Sequence, residues 1–268
     1  IHSSAEAEFF LITGMLVFCW YIELFAGFNL NAGRWKHAFV NAGFIFSNFP
    51  VQVIVGMSFA AVLQWTHLHQ FGFLYKLSFV HNPYWLFITA FVFMDLGEYV
   101  YHVIMHKIKR LWMFHVVHHS DLHTDTSTSL REHPGENIIR NAFTLLWVFV
   151  SGIPFWCLVL RQAIQIVSNV FAHANCRLPE WLDNMVSLVF ITPNMHHVHH
   201  HYEQPYTDSN YGDVLSIWDR FFGTFRRLDA AKIIFGVDTF MDEPSKKKYW
   251  YLLKMPFGKY RSNKTAGV

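Results

Sequence analysis

The sequence predicts an all-α fold built into a membrane, with about four transmembrane helical elements that include a helical hairpin. Three observations carry that expectation. The 268 residues are 53% hydrophobic and 18% aromatic but only 15% charged, too apolar for an ordinary water-soluble domain. The apolar residues come in blocks near or above the roughly 20 residues that span about 30 Å of hydrocarbon as a helix. Between Tyr101 and Tyr202, three tight histidine clusters and one isolated histidine lie next to those blocks.

Taken in order, residues 9–30 form the first apolar run, interrupted only by Glu23, and residues 38–65 form a second, free of charge throughout. Residues 85–103 form a third, with Asp95 and Glu98 inside it. Residues 141–160 form a fourth, which continues past Arg161 toward Val170 and has Gly152, Ile153 and Pro154 in its middle. Glycine and proline break helices, so this segment is expected to turn back there as a hairpin, spanning or re-entrant. Topology asks for the same turn. If the histidines on either side of residues 141–172 are to meet, one continuous span would leave His173 on the wrong side.

The expected organisation is a single domain over 1–268. It comprises N-terminal transmembrane helices over 1–83, a histidine-rich core over 84–226 and a C-terminal cap and tail over 227–268. With a histidine-rich cap in the cytosol, a short 31–37 loop carrying Arg34 and Lys36 is cytosolic as well. The 66–83 loop, with only Lys76, then faces out, as the positive-inside tendency prefers. The first apolar run is long and lacks a basic leading region and a small-residue cleavage site, so no secretory signal is expected. Cys19, Cys157 and Cys176 are scattered and read as free thiols. The net charge of +2 says little, and Lys246, Lys247 and Lys248 read as a solvated charge run. There is no internal repeat and no nucleic-acid motif, so no nucleic-acid partner is expected.

The histidine clusters carry the chemistry. They are His102 and His106; His115, His118 and His119; and His196, His197, His199, His200 and His201, with His173 alone between them. Spacings of three and four put side chains on one helix face, and neutral imidazole is the commonest metal ligand near pH 7. A single tetrahedral ion needs only about four ligands, so this many spaced histidines predict more than one ion. The last cluster contains HxxHH in two registers, His196, His199 and His200 or His197, His200 and His201. Asp95 and Glu98 share a helix face with His102 and His106. Acids inside a membrane helix mark a functional interior or a paired site. They are read as acceptors orienting the imidazoles, against a plain polar patch between helices. Asp121, His123 and Asp125 are outer partners or simply polar loop. His133, in a His-Pro-Gly run, is a decoy for haem and a candidate for a metal or substrate role. His2, His37, His67, His69 and His81 are ungrouped and expected at the surface or the membrane interface.

The order HxxxH, HxxHH and a distant HxxHH resembles the fatty acid hydroxylase and sterol desaturase superfamily of membrane di-iron oxygenases. The flanking residues resemble it too. Asp95 and Tyr101 precede His102, and Trp112, Phe114, Val117 and Ser120 surround the second cluster. Arg131 with His133 and Pro134, Phe171 with His173 and Asn175, and Thr192 with Pro193 follow. Asn210-Tyr211-Gly212 and the Trp218 to Thr224 stretch complete the pattern, which covers about residues 90–226. In the family the last HxxHH lies ten residues before Asn-Tyr-Gly, and counting back from Asn210 gives His200. The resemblance therefore implies His102, His106, His115, His118, His119, His173, His196, His199 and His200 as metal ligands. Around them are expected Asp95, Glu98, His123, His133, Asn175, His197 and Asp208, and the Trp218 to Thr224 stretch is read as closing the cap.

It also implies two iron ions, dioxygen and an unactivated C–H bond of a membrane lipid: fatty acyl, sphingolipid, alkylglycerol or sterol-like. Imidazole alone does not select iron, and zinc can substitute in purified protein. With no haem, flavin or dinucleotide element in the chain, electrons are expected from a separate donor. Candidates are cytochrome b5 or a ferredoxin with its reductase, or a pterin such as tetrahydrobiopterin. The implied location is the endoplasmic reticulum or a bacterial inner membrane, with the site on the cytosolic side. A desaturase or a C-4 methyl oxidase of a sterol-like substrate fits the same ligands. A zinc-dependent hydrolase would need a catalytic water and base such as HExxH, which is absent. A metal transporter or metal-binding membrane protein would hold its ligands near the bilayer midplane rather than at an edge.

Overall fold

The computed structural model describes residues 32–238 and 248–258, and of residues 32–34 the backbone alone. The first apolar run, residues 9–30, lies outside the described residues, as do His2, Cys19, Lys246, Lys247 and the end of the tail. The regular structure of the described residues is helical, with only isolated β-bridges between Phe190 and Leu215 and between His201 and Phe235.

Helix α1 (Ala32–Leu68) is 37 residues long, so it begins where a loop over 31–37 was expected. Its helical register explains the extension. His37, Asn41, Asn48 and Gln52 form one polar stripe that bonds to Asp121, Ser127, the Glu132 carbonyl and Asn137. The opposite faces carry exposed Phe39, Phe46, Ile54 and Met57, an apolar surface suited to lipid. Two short 3-10 turns, Phe73–Lys76 and Ser78–His81, lead into α2 (Pro83–Lys107). Its start is defined by Pro83 and by Asn82, whose side chain accepts from the Tyr84 amide at 2.9 Å. Ile108, in an extended conformation, breaks the chain before α3 (Lys109–His119).

The expected hairpin is present. Helix α4 (Pro134–Ser151) ends at Gly152, whose φ of 68° is a left-handed conformation glycine adopts without strain. Pro154 then opens α5 (Phe155–His173), which runs back to the side where α4 began. α4 packs along α1 and crosses α2 closely: a Cβ on Gly97 would lie 2.8 Å from the Trp147 ring. Beyond the hairpin come short α6 (Glu180–Val186), α7 (Pro193–His199), α8 (Ile217–Phe221) and α9 (Tyr249–Lys254). Three described stretches are long and apolar enough to cross a membrane: 35–76, 83–107 and 155–173.

Apolar packing is split between the two ends of the helices. Leu74, Ala90, Met94, Val148, Ile153 and Cys157 close the hairpin-turn end, while Phe44, Val116, Val117, Leu252 and Met255 close the histidine end. Cys157 and Cys176 are free thiols, as expected.

Candidate metal centre

Four segments bring the histidines together. The last turns of α2 supply His102 and His106, and α3 supplies His115, His118 and His119. His173 ends α5, and α7 with its C-cap supplies His196, His199 and His200. Thr192 caps α7 by accepting from the Met195 amide, and Pro193 sits at its first position. The nitrogens form two groups, each with all its candidate ligand atoms within 4.8 Å of one another. One holds His102, His106, His115, His119 and His199; the other holds His118, His173, His196 and His200. The groups adjoin, with the rings of His119 and His200 stacked at 4.5 Å between centroids.

The hydrogen bonds show which nitrogens face inward. A carbonyl can only accept, so Nδ1 of His102 donates to Tyr211 O at 2.8 Å and that of His199 to Ser209 O at 2.7 Å. His173 Nδ1 likewise donates to Asn169 O at 2.8 Å. His115 Nδ1 lies 2.6 Å from Glu136 Oε1, and His106 Nδ1 3.3 Å from Asp208 Oδ1. In a neutral ring whose proton is on Nδ1, Nε2 carries a bare lone pair. In the second group His173 Nε2 lies 2.9 Å from His196 Nε2 and 3.0 Å from His118 Nε2. In the first, the bare Nε2 atoms of His102 and His115 are 3.1 Å apart, and two bare lone pairs at that distance repel unless a cation sits between them. Nitrogens each about 2.1 Å from one ion and at right angles are about 3.0 Å apart, so the residues fit metal ions. The buried Nε2 atoms of His106 and His199, and both ring nitrogens of His119, have no other partner.

Electrostatics agree with ligand chemistry. Burial, and then the neighbouring imidazoles, hold His118, His119, His196 and His200 far below the usual histidine range. Burial first, then His115, pushes His199 down to about 3. These rings are neutral near pH 7, the form that binds metal.

The residues expected around the ligands divide. Asp208 meets His106 and also takes Lys107 Nζ at 2.8 Å. Asp95 and Glu98 do not orient imidazoles, against the reading of their helix face. Asp95 accepts from the Leu215 amide at 3.2 Å and Trp218 Nε1 at 2.8 Å, which ties the loop before α8 to α2. Glu98 takes Thr144 Oγ1 at 3.2 Å and pairs with Arg140 and Arg161. The reason is depth: Asp95 is seven residues before His102, about 10 Å further along the helix. His133 caps α4, its Nδ1 accepting from the Gly135 amide at 2.9 Å. His123 lies outside both groups, its ring 6.4 Å from that of His37. His197 is buried against Phe235, and His201 Nδ1 accepts from the Ile234 amide at 3.1 Å. Asn175, half-buried, follows His173 by two residues.

Several roles escaped the sequence reading. Glu136 holds His115 and takes Tyr101 Oη at 3.3 Å. His37, expected at the surface, is clamped by Asp121 at 2.8 Å and Asp125 at 3.3 Å. Buried Arg131 donates to Val117 O at 2.9 Å and Ser120 Oγ at 2.8 Å, fixing the end of α3. The Asn-Tyr-Gly turn explains Tyr211 O: Asp219 accepts from the Tyr211 amide at 2.7 Å and the Gly212 amide at 2.9 Å. A Cβ at Gly212 would lie 2.6 Å from Leu215 O.

A cavity of about 1000 Å³ adjoins both groups, reached by His102, His115, His118, His173 and His196. It lies between the legs of the α4–α5 hairpin, with α1 and α2 as its other walls.

Comparison with known proteins agrees with this arrangement. A family model described as fatty acid hydroxylase matches residues 87–224. Alkylglycerol monooxygenase of Homo sapiens is 29% identical over 177 residues, 64% of this chain and 38% of that protein. Its Danio rerio counterpart is 32% identical over 163 residues, 57% of this chain and 33% of that protein. Ornithine lipid hydroxylase OlsE of Rhizobium tropici is 27% identical over 138 residues, 52% of this chain and 41% of that protein. The chain thus matches about a third to two fifths of the length of these relatives. No solved structure matches it. The histidine order, the apolar helices and the matched region, which takes in every one of the nine grouped histidines, lead to one conclusion: the chain belongs to the fatty acid hydroxylase family.

Proposed function

We propose that the protein is a dioxygen-dependent di-iron hydroxylase of a membrane lipid, with His102, His106, His115, His119 and His199 holding one ion and His118, His173, His196 and His200 the other. The observation that carries this reading is the convergence of imidazole Nε2 atoms at about 3 Å beside a cavity bounded by helices apolar enough to span a membrane. When bound, a redox-active metal pair supplies dioxygen activation and removal of hydrogen from a C–H bond; the protein supplies position. Tyr211 O, Ser209 O and Asn169 O hold the imidazole protons away from the centre, and Glu136 and Asp208 do so with charge. The hairpin legs take the lipid from the bilayer and keep water off the reacting carbon.

The named activities of the relatives, an alkylglycerol monooxygenase and an ornithine lipid hydroxylase, favour hydroxylation over desaturation or C-4 methyl oxidation. Electrons come from outside the chain in this reading, through cytochrome b5, a ferredoxin or tetrahydrobiopterin. The site faces the cytosol of a bacterial inner membrane or the endoplasmic reticulum.

The test is metal content and Mössbauer spectroscopy on protein expressed with labelled iron, followed by mass spectrometry of lipid products under labelled dioxygen. Two coupled irons and one labelled oxygen in the product are expected. A single tightly held zinc with no iron site would overturn the reading in favour of a hydrolase or structural metal.

A further inference from the structure

We propose that α6, α8 and the loops that join them at residues 187–190 and 214–216 are set into the lipid bilayer against the side of α2, and that acyl chains cover their apolar face. The proposal needs only that α2 crosses a membrane, and it is independent of the reaction proposed above.

Depth is read along α2. About 20 helical residues cross 30 Å of hydrocarbon, so a span that begins at the exposed Tyr84 and Trp85 reaches the other side near Val103. Asp95 stands eleven residues beyond Tyr84, about 16 Å into that span. It accepts from the Val214 amide at 3.3 Å, the Leu215 amide at 3.2 Å and Trp218 Nε1 at 2.8 Å. One turn later the Tyr99 ring stacks on Phe222 at 5.2 Å between centroids, and its hydroxyl lies 2.9 Å from Thr224 Oγ1. The Ser216 amide donates to Val189 O at 2.9 Å, and Ser216 Oγ to Ser187 O at 2.6 Å, so the end of α6 is tied to the same level. These bonds hold the segment beside the middle of α2, well short of the end that carries the histidines.

The outward face of the segment is apolar. Trp181, Met185 and Leu188 fall at steps of four and three on one face of α6 and the turn that continues it. With Phe190, Phe221 and Phe222 they are exposed, Phe221 by 80%. A patch of that extent marks a membrane or protein contact. The face of α2 beside it says which. Ile88, Val92, Asp95 and Tyr99 recur at steps of four, three and four, and so share one face. Ile88 and Val92 are exposed, as the lipid-facing side chains of a spanning helix are, while Asp95 and Tyr99 lie under Trp218 and Phe222. The apolar patch therefore continues the lipid-facing side of α2 within one turn of Val92. The acids of the segment do not oppose immersion. Asp183 is buried and accepts from Thr192 Oγ1 at 2.6 Å, Asp219 is buried on the Tyr211 and Gly212 amides, and Glu180 stands at the very start of α6. Arg220 and Arg227 lie over the Phe225 ring at 4.0 and 5.5 Å, and long arginine side chains reach from such a rim to headgroup phosphates. Asp219 also holds the turn whose Tyr211 O accepts from His102, so lipid contact braces a candidate metal ligand.

The test is nitroxide accessibility on the intact chain in phosphatidylcholine and phosphatidylglycerol nanodiscs, at one chain per disc. Leu188→p-acetylphenylalanine and Phe221→p-acetylphenylalanine each supply a ketone for the nitroxide and leave the cysteines untouched. Val92→p-acetylphenylalanine reports the lipid-facing side of α2, and Lys109→p-acetylphenylalanine the aqueous end. Collisions with molecular oxygen, which concentrates in lipid, are compared with those of a neutral nickel chelate, which stays in water. Labels at positions 188 and 221 are expected to collide often with oxygen and rarely with nickel. Their depth is expected to fall within about 10 Å of the label at position 92, the rise from Val92 to Tyr99. Nickel accessibility at either position equal to that at position 109 would overturn the proposal. Few collisions with both reagents would overturn it as well, since that is the signature of cover by protein, whether residues 9–30 or a second copy. Should either variant fail to fold, by its melting temperature, Met185→p-acetylphenylalanine takes its place. The depth is measured without turnover, so neither outcome bears on the hydroxylase reading.

Discussion

The five-histidine and four-histidine groups use the same side chain, yet the protein holds their rings differently. In the first group, Nδ1 of His102, His106, His115 and His199 each meets an acceptor: Tyr211 O, Asp208, Glu136 and Ser209 O. In the second, Nδ1 of His173 meets Asn169 O, while Nδ1 of His196 and of His200 is buried with no partner. An acceptor on the far nitrogen fixes tautomer and ring angle, and a carboxylate there also raises ligand basicity. Apart from His119, whose ring nitrogens have no such partner, the five-histidine group is therefore held more firmly by the protein itself than the four-histidine group.

Removing one ligand from each group is the severest test of that division. His199→Ala and His196→Ala are both expected to abolish product formation while the helices stay folded. Metal analysis should separate them: His199→Ala loses the ion of the five-histidine group, and His196→Ala loses the other, each leaving about one ion per chain. Loss of both ions in both variants would mean that the groups form a single site, and turnover at the parent rate would remove the metal assignment altogether.

Glu136→Gln probes the support rather than the ligand. The amide keeps the shape of the carboxylate beside His115 but loses its charge, and such changes cost about 10–100-fold in metal affinity or activity. The loss is expected at the five-histidine group alone, read by competition with a calibrated chelator. Glu136 was not visible in the sequence, and the reason is general. It stands 21 residues from His115, with nothing in the spacing to link them. The carbonyls of Tyr211, Ser209 and Asn169 are harder still, because any residue at those positions has the same backbone oxygen. The nine grouped histidines could be picked out from spacing and resemblance because imidazole clusters are rare and periodic. Asp95 and Glu98 were misread from the same periodicity, which gives a helix face but not how far along the axis a partner lies. The hairpin could be read because Gly152 and Pro154 interrupt an otherwise apolar run and because His173 has to return to the other histidines. The early start of α1 could not, since it depends on Asp121 and Ser127, more than 80 residues away, accepting the polar stripe.

A smaller effect should appear in the unaltered protein on chelation. If pre-organisation governs retention, the four-histidine group releases its ion first, by about tenfold in rate or affinity, giving two phases. The spectrum of the ion that remains should match that of His196→Ala. A single phase, or a remaining ion that matches His199→Ala, would reverse the ranking of the two groups.

The smallest expected effect falls on His201, the histidine that most nearly duplicates a ligand in sequence. Its Nδ1 accepts the Ile234 amide at 3.1 Å, in the isolated bridge to Phe235, and it belongs to neither group. His201→Ala breaks a neutral hydrogen bond at the edge of the cap, worth about 1 kcal/mol, and should lower the melting temperature slightly with metal content unchanged. His197→Ala is its partner control, because the alternative register of HxxHH would make both of them ligands. Helix α7 decides against that register geometrically: its turns put His196 and His200 on the side facing His173, at 2.9 and 3.2 Å, and turn His197 toward Phe235. Loss of one metal equivalent in His201→Ala would therefore require α7 to rotate in the loaded protein. The four-histidine group would then be a different set of rings from His118, His173, His196 and His200.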